Sequence, residues 1–195
     1  MLKYFCSKIC EQLEKAEIIT MQDKPLYLYG LYQGGIQLLN IIITFLSGFI
    51  LDMPWHAVLF LLSYIPIRTY AGGFHAKTPT RCYISSIILV IAILLVMKEF
   101  LFSSFICIVG IIVSSIGIFL LAPVEDENKP FSEKEQIQFK KTTRTLLFAE
   151  LFFVVIAFIF DFKIIYTCIF MSFVTLGVML ILGKIKLLYG KGLCC

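Results

Sequence analysis

Six long apolar stretches, residues 30–51, 53–67, 83–97, 100–122, 145–160 and 164–182, run through this chain, and the short islands between them hold most of its charge. The first stretch has 22 residues, which as an α-helix reach about 33 Å and cross a hydrocarbon core about 30 Å thick. The second and third have 15 residues each, about 22 Å, so they borrow flanking residues, thin the bilayer locally or are partly re-entrant. Hydrophobic residues make up 59% of the 195 and charged residues 15%, against roughly 45–50% and about a quarter in a soluble domain. An ordinary soluble protein is excluded. The expected fold is an all-α polytopic membrane bundle of six transmembrane segments, or of four plus two short or re-entrant ones, with no separate soluble domain.

In such a chain the placement of Lys and Arg says more than the net charge of +4. Lys3, Lys8, Lys15 and Lys24 precede the first span, Arg68, Lys77 and Arg81 occupy the second loop, and Lys129, Lys134, Lys140, Lys141 and Arg144 the fourth. Lys184, Lys186 and Lys191 lie in the tail, whereas the odd-numbered loops hold only Lys98 and Lys163. The positive-inside rule then puts both termini and the even-numbered loops in the cytoplasm. Because these charges have a topological cause, nucleic acid is a poor choice of partner. The chain divides into an N-terminal cytoplasmic segment 1–29, a membrane domain 30–182 and a cytoplasmic tail 183–195. Residues 1–29 carry charge throughout and no small-residue cleavage site, unlike a removable signal peptide. Within them Leu2, Phe5, Cys6, Ile9, Leu13, Ala16 and Ile19 recur at helical spacing, which predicts an amphipathic helix on the inner membrane face or packed on the bundle.

Seven cysteines do not make a disulfide framework here. Cys107 and Cys168 lie in apolar runs and Cys194 and Cys195 at the end, where they read as small hydrophobes or free thiols. Cys6 and Cys10 are one helical turn apart but lack the other ligands of a zinc site, so neither metal nor other cofactor is expected. Residues 126–141 read as a solvated connector, with Ser132, Glu133 and Glu135 opening a helix. No glycine-rich phosphate loop points to nucleotide-driven transport.

The most informative run is Arg68-Thr-Tyr-Ala-Gly-Gly-Phe-His75-Ala-Lys-Thr-Pro-Thr-Arg-Cys82. A nucleophilic thiol needs a base near neutral pH, and imidazole is the side chain suited to that. On one straight helix residues seven apart are separated by about 10 Å, too far to touch. Thr78 as N-cap and Pro79 at the first helical position break that helix and begin the third span just before Cys82. The thiol then lies in the first turn, where the positive helix end and Arg81 favour thiolate. Gly72 and Gly73 let the preceding chain fold His75 back toward the sulfur. The spacing by itself does not separate a dyad from coincidence; the glycines, the Thr-Pro start and the membrane-edge placement add weight. His56, beside Trp55 at the opposite interface, reads as an interfacial residue.

This run, with Ala71-Gly-Gly-Phe-His75-Ala followed by Cys82, closely resembles the signature of the accessory gene regulator protein B (AgrB) family. These are integral-membrane cysteine endopeptidases of Gram-positive bacteria that process a quorum-sensing propeptide, AgrD. The likeness extends to Ala122-Pro-Val-Glu-Asp-Glu-Asn-Lys-Pro130, the overall length and the amphipathic start. It implies Cys82 as nucleophile, His75 as general base, Arg68 as a structural or substrate-orienting residue and Gly73 as a backbone-shape position. It also implies cleavage near the C-terminal part of an AgrD-like propeptide, a thioester on the enzyme, and attack by a peptide cysteine to close a thiolactone. The stretch 68–83 contains no Asp or Glu, so a backbone carbonyl or a residue of 125–127 is left to orient the imidazole.

Arg68, Lys77 and Arg81 suit an acidic part of such a substrate, although topology also explains them; Lys129, in the second resembling run, joins them as a substrate-orienting or structural position. Gln33, Gln37 and Asn40 share a face of the first span and need cover from protein, a water-filled cavity or a second copy, which makes a homodimer the expected assembly. Glu150 reads as a helix-paired or snorkelling carboxylate. Two competing readings remain open. One is a small membrane transporter or peptide exporter without Cys82 chemistry; the other is a non-catalytic scaffold.

Overall fold

The computed structural model describes residues 2–74, 79–125 and 131–191, without the side chains of residues 2, 3, 79, 80, 82 and 189–191. Among the described residues the chain forms seven helices: α1 (Leu2–Lys15), α2 (Lys24–Ile50), α3 (Pro54–Ala71), α4 (Pro79–Glu99), α5 (Ser104–Leu121), α6 (Glu133–Ile159) and α7 (Lys163–Lys191). The described β-pairing is one isolated bridge, Gly72 with Val124. Two compact units result, residues 1–44 and 45–195.

In the first unit α1 buries a seam of Cys6 and Cys10, flanked by the half-buried Ile9 and Leu13, and turns Tyr4 and Phe5 outward. The helix ends at Lys15, earlier than the apolar spacing through Ile19 suggests. Glu17 takes a left-handed φ of 57°, and the N–H groups of Glu17 and Ile18 donate back to the carbonyls of Glu14 and Leu13, both at 3.0 Å. That pattern closes a helix C-terminus whatever the hydrophobicity beyond it. Lys24 Nζ, opening α2, pairs with Glu14 at 2.6 Å.

The second unit is organised around α7, whose residues Tyr166, Cys168, Phe173, Leu176 and Leu180 are almost wholly buried against α3, α5 and α6. Packing is close. Gly110 on α5 leaves the space that the Phe170 ring fills, so no side chain fits there. Where lipid is the solvent, such van der Waals fit between helices replaces the hydrophobic effect as the source of association. Ser63 of α3 donates to the Glu150 carboxylate of α6 at 2.5 Å, so Glu150 is helix-paired, as its position in a span requires. Cys107 and Cys168 are buried free thiols. Ser132 and Glu135 form a reciprocal capping box at the start of α6.

This is an all-α polytopic membrane protein. By length and composition α2, α5, α6 and α7 are able to cross a bilayer. Their apolar residues Phe105, Val113 and Leu120 on α5, and Phe148, Phe152 and Ile159 on α6, point outward, as lipid-facing surfaces do. The two stretches that look short in the sequence are helices of 18 and 21 residues, α3 and α4, about 27 and 32 Å long. The helices run on into the flanks of the apolar stretches, because helical hydrogen bonding continues through Arg68 or Lys98 as readily as through leucine.

Tertiary contacts in this unit sort the loops into two ends. Lys98 Nζ donates to the Leu51 carbonyl at 3.1 Å, joining the third loop to the first. At the other end the Tyr70 and Phe139 rings meet edge-on at 5.9 Å, and the Gly72–Val124 bridge joins the second loop to the fourth.

Candidate catalytic loop and its seat

From the end of α3 at Ala71 through Phe74 the chain follows a backbone path that glycine makes possible. Gly72 has φ 69° and Gly73 φ 117°, values L side chains rarely adopt, and a Cβ on Gly72 collides with the Val124 carbonyl oxygen. The turn directs the carbonyls of Gly72 and Phe74 back toward the last turn of α3. There Arg68 takes both, Nη1 donating to Gly72 O and Nη2 to Phe74 O at 2.8 Å. A planar guanidinium suits this task, since its fixed fork offers two N–H groups at once.

Two further attachments hold the same backbone. Val124 N–H donates to Ala71 O at 2.9 Å, and Gly73 N–H donates to Val124 O at 3.3 Å, so the chain just after α5 straps the loop. Phe74 N–H donates to Met179 O of α7 at 2.9 Å, and Lys186, also on α7, places its ammonium 5.9 Å from the Phe74 ring centre. Phe74 is thus fixed at its amide, its carbonyl and its ring.

Of the residues singled out from the sequence, Arg68 and Gly73 come together in this clamp. Arg81 is exposed on the first turn of α4. Helix α4 begins at Pro79, and Cys82 is its fourth residue, in the first turn; the side chain of Cys82 lies outside the described residues, as do His75, Lys77, Lys129, Cys194 and Cys195. Glu125 directly follows the strap residue Val124. His56 sits at the far end of α3, about 18 Å along the axis from Arg68. Sequence reasoning missed Phe74, Val124 and Met179. Val124 and Met179 act through backbone atoms, which leave no side-chain signature; only Val124's place in the second resembling run hints at its role.

The family model described as Accessory gene regulator B matches residues 6–182, from α1 through the clamp, the strap and the seat on α7. The chain belongs to the AgrB family. An AgrB-like protein of Clostridium perfringens strain SM101 is 28% identical over 167 residues, spanning 82% of this chain and 78% of its own. AgrB-like protein 2 of Clostridium perfringens strain 13 is 27% identical over the same coverage. No solved structure matches the chain. Membership of the AgrB family connects the chain to the accessory gene regulator quorum-sensing system.

Proposed function

We propose that this chain is a membrane cysteine endopeptidase that processes an AgrD-like propeptide in a Gram-positive cell membrane. Cys82 attacks the scissile carbonyl as thiolate, forming the C–S bond, and His75 takes the thiol proton. Collapse of the tetrahedral species breaks the C–N bond, and His75 delivers the proton to the departing amine. The N-terminal portion of the propeptide stays on Cys82 as a thioester. A cysteine thiol within that peptide then attacks the thioester carbonyl, giving its proton to His75, closes the thiolactone and returns Cys82 as thiolate.

The observation that supports this reading is the fixed backbone on both sides of the segment between Phe74 and Pro79. Phe74 is held by Arg68 and α7, and Pro79 opens the helix whose first turn carries Cys82. A reactive pair needs such restraint, since holding the reacting groups in place supplies much of the rate. Arg81, Lys77 and Lys129 orient an acidic stretch of the substrate. The charge split argues for cytoplasmic termini, with the loop at the inner leaflet where an amphipathic propeptide docks. A homodimer covers α2, where Gln33 and Gln37 are exposed and Gly30 and Gly34 have open space beside them.

Cys82→Ala tests the chemistry. With the full-length protein and its cognate propeptide, cleavage and the covalent adduct on the Cys82 peptide should both vanish, whereas Cys195→Ala should retain them. Turnover that survives Cys82→Ala, or an adduct mapped to another thiol, overturns the dyad and favours the transporter or scaffold reading.

A further inference from the structure

Along an α-helix the Cβ atoms tilt toward the N-terminus, so the side chain of residue i+4 leans over the carbonyl of residue i. On α7 the residue four places after Met179 is Gly183, and the Met179 carbonyl is left open at that point. Into the opening comes the backbone of Gly73 and Phe74, whose amide donates to Met179 O at 2.9 Å. A Cβ on Gly183 stands 2.7 Å from Gly73 C, 2.7 Å from Phe74 N and 2.9 Å from Gly73 Cα. All three are main-chain atoms, with no flexible end to swing aside.

Nothing in α7 itself asks for glycine at this position, where alanine is the better helix former. Gly177, on the same helix, faces open space. The loop has little room to withdraw from a methyl group at 183, because Arg68 and Val124 hold it from other directions.

We propose that Gly183 is a positioning residue for the catalytic loop. Its missing side chain is the notch in which Gly73 and Phe74 rest on α7, and the notch sets the backbone from which His75, the next residue, departs. This inference rests on the reading of His75 and Cys82 as the reacting pair.

The test compares Gly183→Ala with Gly177→Ala, Phe74→Pro and His75→Ala in the full-length protein in lipid nanodiscs. Gly177→Ala makes the same chemical change on the same helix without the contact; Phe74→Pro deletes the donated N–H together with the ring beside Lys186 and leaves the residues of α7 unchanged, should Gly183→Ala fail to fold. Three quantities are read: hydrogen exchange in the peptide containing Phe74, the pH profile of Cys82 alkylation by iodoacetamide, and propeptide cleavage.

Gly183→Ala should lose protection at Phe74, Phe74→Pro should lose it at the neighbouring amides of the same peptide, and both should move the alkylation profile to the more alkaline position of His75→Ala. Their cleavage should fall about 100-fold, the size of effect a displacement near 1 Å produces. Gly177→Ala should match the wild type. Unchanged protection and alkylation in Gly183→Ala, or equal effects of Gly177→Ala, overturn the inference. If the wild type and His75→Ala share one alkylation profile, the dyad reading fails; lost protection in Gly183→Ala then leaves a seat for the loop but overturns its role in catalysis.

Discussion

Replacing Arg68 by lysine distinguishes the two roles that its place in the sequence leaves open, clamping the loop or gripping the substrate. The guanidinium donates to Gly72 O and Phe74 O at once. A lysine ammonium keeps the charge, but as a compact point donor without the planar fork it retains at most one of these bonds. A hydrogen bond from a charged group contributes about 1.5–3 kcal/mol, so Arg68→Lys lowers the weight of the held loop against the released one by roughly 10- to 150-fold. The Val124 and Met179 attachments remain and offset part of that loss. The expected outcome is a kcat reduced about 10-fold for Arg68→Lys and about 100-fold for Arg68→Ala, with KM little changed. Initial cleavage rates against propeptide concentration, on full-length protein in nanodiscs, provide both constants. If KM rises while kcat stays at the wild-type value, Arg68 contacts the substrate and the clamp is irrelevant to turnover. Wild-type kcat in Arg68→Lys refutes the need for the fork.

The charge split predicts that single cysteines at positions 98 and 163 react with an impermeant thiol reagent in intact cells, while those at 134 and 186 react only after lysis; strong labelling at 186 in intact cells reverses the orientation. A mass corresponding to two copies in nanodiscs is expected from the exposed Gln33 and Gln37 on α2, and a cysteine at position 34 should cross-link to its counterpart. A fully active monomer removes the dimer.

Much of the fold was legible in the sequence because it is decided locally. Long apolar runs give helices in lipid, where the backbone must satisfy its own hydrogen bonds, and the bulk of each of the six runs lies in one helix, although α5 begins only at Ser104, four residues into the run 100–122. Pro79 announces the start of α4, and Ser132 with Glu135 the start of α6, since capping chemistry acts within a few residues. The Gly72-Gly73 pair and Arg68 also stood out, as residue types that a sharp turn and its satisfaction require. Helix ends set by backbone closure were less legible, and α1 stops at Lys15 although apolar spacing continues.

What only the tertiary structure decided is how the loop is held. Arg68 grips carbonyls of its own loop, Val124 pairs with the glycines, and Met179 contributes nothing but a backbone oxygen exposed by the bare Cα of Gly183. Met179 and Gly183 are an unremarkable methionine and glycine in an apolar run. Their significance comes from a carbonyl and a missing methyl group meeting a loop far away in the chain, and neither a backbone atom nor an absent side chain has a pattern that sequence can display.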